Sequence, residues 1–224
     1  YRLHELLLER YPELLIEGGA GGGERFDAGM LHYVPQIWCS DDTDALERLS
    51  IQYGTSFFHP CSSMGAHVSA CPNHQTGRTI SFSTRGIVAL AGTFGYELDM
   101  TKLSEAERTE AREQIALYRK VHPIVLEGDL YRLTSPECDP IVAWQNVSKD
   151  RKSFVVSWVI PHCTPQQTAL RIRLRGLDPE RVYADWKTGE RFRGDFLMNF
   201  GLIHELRDRA GDGAGVIRVF DSAE

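Results

Sequence analysis

No stretch of this chain approaches the roughly 20 consecutive apolar residues that a membrane-spanning helix requires. The first residues also lack the charged-then-apolar plan of a signal peptide, so neither a membrane nor a targeting role is expected. Basic charge is in short supply: 25 Lys and Arg stand against 31 Asp and Glu, a net charge of -6. With no continuous basic stripe, no nucleic-acid partner is expected, and a neutral or small-molecule partner is favoured. Cysteine is scarce and odd in number. Cys39, Cys61, Cys71, Cys138 and Cys163 show no framework spacing, which favours free thiols in a reducing compartment over disulfides. His59, Cys61, Cys71 and His74 fall within one loop region, yet their spacing matches no common zinc motif. The sequon Asn146-Val147-Ser148 would matter only in a secreted protein.

Apolar residues, at 42% of 224, are plentiful enough for a real core, in one large domain or two modest ones. The chain opens at Tyr1 directly on an amphipathic helical pattern, Leu3, Leu6, Leu7 and Arg10, with no cap before it, which suggests a start in mid-structure. Short apolar runs then alternate with helical segments. The runs are Leu14 to Glu17, Pro35 to Cys39, Ala66 to Ala70 and Ile87 to Gly92, with a helix from about Thr43 to Tyr53. Four buried strands interleaved with helices predict a mainly parallel sheet or a (β/α) barrel. The connections Gly18 to Gly29, Phe57 to Gly65 and Cys71 to Arg85 are long and rich in Gly, Asn, His and Pro. In an α/β barrel such loops build the active site, although the glycine run could equally be a flexible linker.

A long helix is predicted from Ser104 to about Val121, opened by a Ser104/Glu107 capping box. Beyond Pro123 the texture changes to short runs rich in Val, Trp, Phe and Arg: Tyr131 to Leu133, Ile141 to Val147, Ser153 to Ile160, Ala169 to Leu174, Val182 to Asp185 and Val216 to Phe220. Turn signals at Gly176-Leu177-Asp178-Pro179 and Thr188-Gly189 separate several of them, as in an antiparallel sheet. A domain boundary is placed close to Pro123, giving parts 1–122 and 123–224.

The densest polar cluster, Trp38-Cys39-Ser40-Asp41-Asp42-Thr43-Asp44, follows directly on the second strand. Carboxylates there would stand at the mouth of a barrel. The same residue types also satisfy the free N–H groups of a helix N-terminus, and one carboxylate can cap while its neighbour faces a pocket. His67 reads as a core or pore-lining histidine bonded to a neighbour. Thr76-Gly77-Arg78 and Arg85-Gly86 could clamp an anion or sugar, or simply anchor loops, and Trp38 and Phe94 could line a pocket or fill the core.

Several longer stretches carry a resemblance: Arg25-Phe26-Asp27-Ala28-Gly29-Met30, Pro35 through Asp44, Pro72-Asn73-His74-Gln75-Thr76-Gly77-Arg78, Leu90 through Glu97, and Tyr131-Arg132-Leu133. Over essentially its whole length the chain resembles the α-galactosidases of glycoside hydrolase family 36. The resemblance implies the C-terminal half of a (β/α)8 barrel, strands five to eight, followed by an antiparallel β-sandwich domain. It implies cleavage of terminal α-galactose from sugars such as melibiose and raffinose with retention of configuration. It also implies no cofactor or metal, a cytoplasmic location and a family-type homo-oligomer.

The family's acid/base lies at the first Asp of its Trp-x-Ser-Asp-Asp-Thr-Asp motif, which makes Asp41 the implied proton donor. Its nucleophile belongs to a Lys-Trp-Asp motif on strand four, which this sequence lacks and which is expected upstream of Tyr1. A retaining glycosidase needs both carboxylates, roughly 5 to 5.5 Å apart, so this chain by itself is expected to be inactive. The family's sugar-binding loop, Cys-x-x-Gly-x-Gly-Arg, corresponds to Gly19 through Arg25. Gly22 and Arg25 match, Gly19 replaces the cysteine and Glu24 replaces the last glycine. Gly19, Gly22, Arg25 and Asp41 are therefore the implied substrate-binding residues. The missing nucleophile and the altered loop leave open a noncatalytic carbohydrate-binding remnant, and shared chemistry leaves open a galactosyl transferase of the raffinose-synthesis kind.

Overall fold

The computed structural model describes residues 1–19, 21, 23, 25–164, 169–205 and 211–223. The first part of the chain runs α1 (Arg2–Arg10), β1 (Glu17–Gly18), β2 (Gln36–Trp38), α2 (Ala45–Thr55), β3 (Met64–Ser69), α3 (Phe82–Ala89), β4 (Thr93–Glu97) and α4 (Glu105–Glu127). The four strands pair in parallel in the order β1-β2-β3-β4. Parallel neighbours need crossovers, and α2 and α3 supply them.

Alternation along these strands separates two faces. Ile37, Met64, Ala66 and Val68 are buried, on the side that packs against the helices. Trp38, His67 and Glu97 meet on the other side, and Glu17 there accepts a short hydrogen bond from Gln36 Nε2. That second face is polar and stands at the strand ends. Helix α2 begins where Asp44 caps it, and it buries Ala45, Arg48, Leu49 and Gln52 on one stripe.

The run Ile87 to Gly92, expected as the fourth strand, is instead the end of α3 and the turn after it, and the strand follows at Thr93. Ser81 Oγ accepts from Thr84 N–H and starts the helix. Every residue of α3 except Ser83 is buried, so no polar face marks its period. It packs tightly against α4 at Gly86. A Cβ on Gly86 would fall 2.3 Å from Gln114 Nε2, and that amide donates to Phe82 O at 3.0 Å.

Helix α4 carries the expected Ser104/Glu107 capping box but runs on to Glu127, with Pro123 inside it. Proline leaves the carbonyl four residues earlier without a backbone donor. Here His122 Nδ1 stands 3.2 Å from that carbonyl, Arg119 O, so the bond is replaced and the helix continues.

The second part contains β5 (Asp129–Arg132), β6 (Val142–Val147), β7 (Ser153–Ile160), β8 (Ala169–Ile172), β9 (Val182–Asp185), β10 (Arg191–Arg193), α5 (Gly194–Asn199), β11 (Leu202–Glu205) and β12 (Ala214–Ser222). Six strands form an antiparallel sheet, β10-β9-β12-β7-β6-β5, and β8 pairs with β11 separately. All of β7 after Ser153 is buried. Phe154, Val156, Trp158 and Ile160 join Leu170, Ile172, Leu197 and Leu202 in one core. Val155 and Val159 point the other way, into clusters with Val121, Val125, Leu49 and Val88. The sheet is thus covered on both faces, by β8, β11 and α5 on one side and by the helices of the first part on the other. Arg132 ties the parts together: it donates to Ser56 Oγ at 2.9 Å and Ser56 O at 2.7 Å, capping the C-terminus of α2. Asn146 of the sequon is buried in β6.

Candidate active site

The Trp38 to Asp44 segment is a series of turns held from both ends. Ser40 Oγ accepts from Asp42 N–H at 3.1 Å, and Asp42 Oδ1 accepts from Asp44 N–H at 2.9 Å. Asp44 is the helix cap. Its Oδ1 accepts from Leu46 N–H at 2.8 Å and from Arg78 at 2.7 Å, and its Oδ2 accepts from the Thr76 hydroxyl. Burial works against ionisation of Asp44, but Thr76, Leu46 N–H and Arg78 together outweigh it and hold the carboxyl below the usual carboxylate range. Thr43 N–H donates to Gln75 Oε1, and Asn73 Nδ2 donates to Thr43 Oγ1. The 72–78 loop therefore clamps the 40–44 turn, and Arg78 serves as a loop anchor. Arg85 does likewise, donating to the carbonyls of Ser69 and Ile80.

Asp41 stands apart from this network. It is exposed, on a bend between the end of β2 and the cap, and among the described residues its carboxylate has no hydrogen-bond or ion-pair partner. The turns on either side of it are hydrogen-bonded while the Asp41 carboxylate itself is left without a protein partner among the described residues.

Gly19 and Arg25 line a hollow of about 430 Å³ together with Glu17, Gly18, Gly23 and Phe26. Asp41 is not on its wall, so the described residues do not bring all the expected site residues into one cavity. The link is indirect: Gly19 lies beside Trp38, and a Cβ on Gly23, whose φ is +93°, would fall 2.8 Å from Trp38 O. Only glycine fits that seat. Gly22 and Glu24 lie outside the described residues. Asp27, from the same stretch, accepts from Tyr1 OH and Met30 N–H and secures α1 and the turn.

Behind Trp38 the sheet carries a second group. The indole and the His67 imidazole are stacked, 4.0 Å between centroids and 7° apart. Arg48 donates to His67 Nδ1 at 3.0 Å. Burial, and then the Arg48 charge, push the His67 pKa down to about 3, so the ring is neutral. His67 was legible as a core or pore-lining histidine bonded to a neighbour, and Arg48 was missed altogether. Its signal was an arginine on the buried stripe of α2, four residues after the cap. Phe94 packs with Tyr96 and Tyr118 in the core rather than at a pocket. His59 sits edge-on against Phe26, and the Cys71 thiol donates to Ile80 O. Among the described residues no three His, Cys, Asp or Glu side chains gather as a metal site.

Comparison with known proteins places this geometry. The melibiase family model matches residues 1–128, and the model of the glycosyl hydrolase family 36 C-terminal domain matches residues 141–220. The bifunctional α-galactosidase/sucrose kinase AgaSK of Mediterraneibacter gnavus is 53% identical over 202 residues, covering 90% of this chain and 22% of its own length. The α-galactosidase AgaA of Geobacillus stearothermophilus is 47% identical over 207 residues, covering 92% of this chain and 28% of its own. The solved galactosidase domain of AgaSK superposes with a TM-score of 0.96 at 48% identity, over all of this chain and 31% of that one. A substituted AgaA in complex with raffinose superposes with a TM-score of 0.95 at 43% identity, again over all of this chain and 31% of its own. This chain thus spans less than a third of the length of these relatives. It belongs to the melibiases of glycoside hydrolase family 36.

Proposed function

We propose that the protein carrying this chain hydrolyses terminal α-galactosides of the melibiose and raffinose type with retention of configuration, and that Asp41 is its proton donor and acid/base. One observation carries the assignment: Asp41 is the carboxylate of its cluster left unpartnered and exposed on a turn clamped by the 72–78 loop, whereas Asp44 is consumed in capping. The relatives, α-galactosidases, support the same reading, and one of them is described with raffinose bound. No observation favours the carbohydrate-binding remnant or the transferase.

In this mechanism a second carboxylate, from a Lys-Trp-Asp motif outside these 224 residues, attacks the anomeric carbon as Asp41 passes its proton to the departing glycosidic oxygen. The Asp41 carboxylate then takes a proton from water, whose oxygen displaces the enzyme carboxylate and releases galactose. Gly19, Gly22 and Arg25 bind the sugar. β1 to β4 are the second half of a (β/α)8 barrel whose interior is the polar face, and the antiparallel sheets are a sandwich. The division into residues 1–122 and 123–224 belongs to the same proposal, with α4 crossing it. The protein acts on neutral sugars in the cytoplasm, as a homo-oligomer of the family type. Replacing Asp41 in the full-length protein and comparing a natural with an activated substrate tests the assignment.

A further inference from the structure

Arg48, His67 and Glu97, which have no part in the proton transfer, lie in a row across the polar face of β2 to β4, joined by one hydrogen bond and one close contact. Arg48 is 2% exposed and, among the described residues, has no carboxylate within ion-pairing distance. One guanidinium nitrogen serves Gly65 O and His67 Nδ1, and the other terminal nitrogen has no partner among the described residues. A guanidinium only donates, so Nδ1 must accept, and the neutral ring carries its proton on Nε2. That nitrogen stands 3.0 Å from Oε2 of Glu97, close in distance though poorly aligned for a full hydrogen bond. Trp38 lies flat on the ring and holds its plane.

Glu97 ends β4 on the same face, since the parallel register sets Gly95 beside His67 and Glu97 beside Ser69. Its side chain is 52% exposed. One carboxylate oxygen is held toward the imidazole, and the other has no partner among the described residues. Burying an arginine without a contacting carboxylate is costly, and a leucine would fill an ordinary core position better. What the buried charge supplies is direction. It fixes the histidine tautomer, and the tautomer aims an acidic side chain at the strand ends beside Trp38, where an anchored carboxylate with a free oxygen is an acceptor for sugar hydroxyls.

We propose that Glu97 is a sugar-binding residue of this site, accepting hydrogen bonds from hydroxyls of a neutral saccharide, and that His67 and Arg48 are the positioning residues that aim it. The inference rests on the α-galactosidase reading above. It is tested by steady-state kinetics of the full-length protein, using an aryl α-galactoside and raffinose. Glu97→Ala raises KM about 10- to 100-fold, the range for losing a charge-assisted hydrogen bond, with kcat within about threefold. Glu97→Gln, which keeps an acceptor oxygen, recovers part of the loss. His67→Phe keeps the stack on Trp38, removes both nitrogens and raises KM as Glu97→Ala does. The double variant is no worse than Glu97→Ala alone. A KM effect with both substrates places the hydroxyls on the galactosyl ring, and an effect with raffinose alone places them on the departing sugar. An unchanged KM in Glu97→Ala for both substrates, or additive losses in the double variant, overturns the proposal. If the wild type is inactive on both substrates, the enzymatic reading fails first. Calorimetric titration with galactose then decides the role of Glu97, since equal affinity in wild type and Glu97→Ala, or no binding to either, counts against it.

Discussion

Arg78 reaches Oδ1 of Asp44 at 2.7 Å across 34 residues of sequence, and the Asp44 side chain is almost wholly buried. Two stretches that look like separate motifs in the chain are thus one structural unit. The loop holds the turn, and the turn presents Asp41.

Breaking that unit has a stability cost with a defined pH signature. Asp44→Ala removes a helix cap and leaves Arg78 without its main partner, an expected loss of about 2–4 kcal/mol. The native carboxyl titrates below its unfolded counterpart, so the unfolded state takes up the proton first as pH falls. The stabilisation is present above the unfolded carboxyl pKa near 4 and is lost as pH drops through the lower folded value. Denaturant unfolding of wild type and Asp44→Asn at neutral pH and below pH 4 checks this. The gap between them should narrow in acid.

His67 provides a second pH test at a different window. Facing it are Arg48 from α2, Glu97 from β4 and the Trp38 ring from β2, and its folded pKa is about 3 against roughly 6.5 when unfolded. Between those values the unfolded state holds a proton that the folded state does not, so stability falls as pH is lowered from 6.5 toward 3. His67→Phe should flatten that part of the stability profile while leaving the slope above pH 7 unchanged.

The 224-residue polypeptide, made by itself, is expected to self-associate. Among the described residues its parallel sheet ends in β1 and β4, each paired along one edge only, and Leu15 at 85% and Phe58 at 84% exposure add sticky surface. Size-exclusion chromatography should show oligomers or aggregate. A compact, stable monomer would contradict the expectation.

Much of the architecture was legible because its signals are local. Ser153 to Ile160 and Val182 to Asp185 read as strands and are strands at the same residues, since β-branched and aromatic runs bounded by turn residues have few alternatives. Ile87 to Gly92 misled because a helix buried on nearly all sides has no polar face to show its period. Helix α4 outran Pro123 because a neighbouring histidine takes the place of the missing donor, which sequence spacing does not reveal. β10, α5 and β11 are three to six residues long, too short for periodicity to register. At the site, Asp41 was reached through a resemblance, and residue types alone left capping and catalysis undecided. The structure gives the cap to Asp44 and leaves the Asp41 carboxylate without a partner among the described residues. Arg48 and His67 meet only through tertiary packing, across 19 residues and two elements, which no local pattern encodes.

The assignment of Asp41 is tested most directly by measuring kcat/KM of the full-length protein and its Asp41→Ala variant on raffinose and on an aryl α-galactoside with a good leaving group. If Asp41 protonates the departing oxygen, raffinose cleavage falls by about 10²- to 10⁴-fold, and the loss is much smaller for the activated substrate, which needs little protonation. Equal losses on the two substrates, or raffinose cleavage near the wild-type rate, would contradict the assignment.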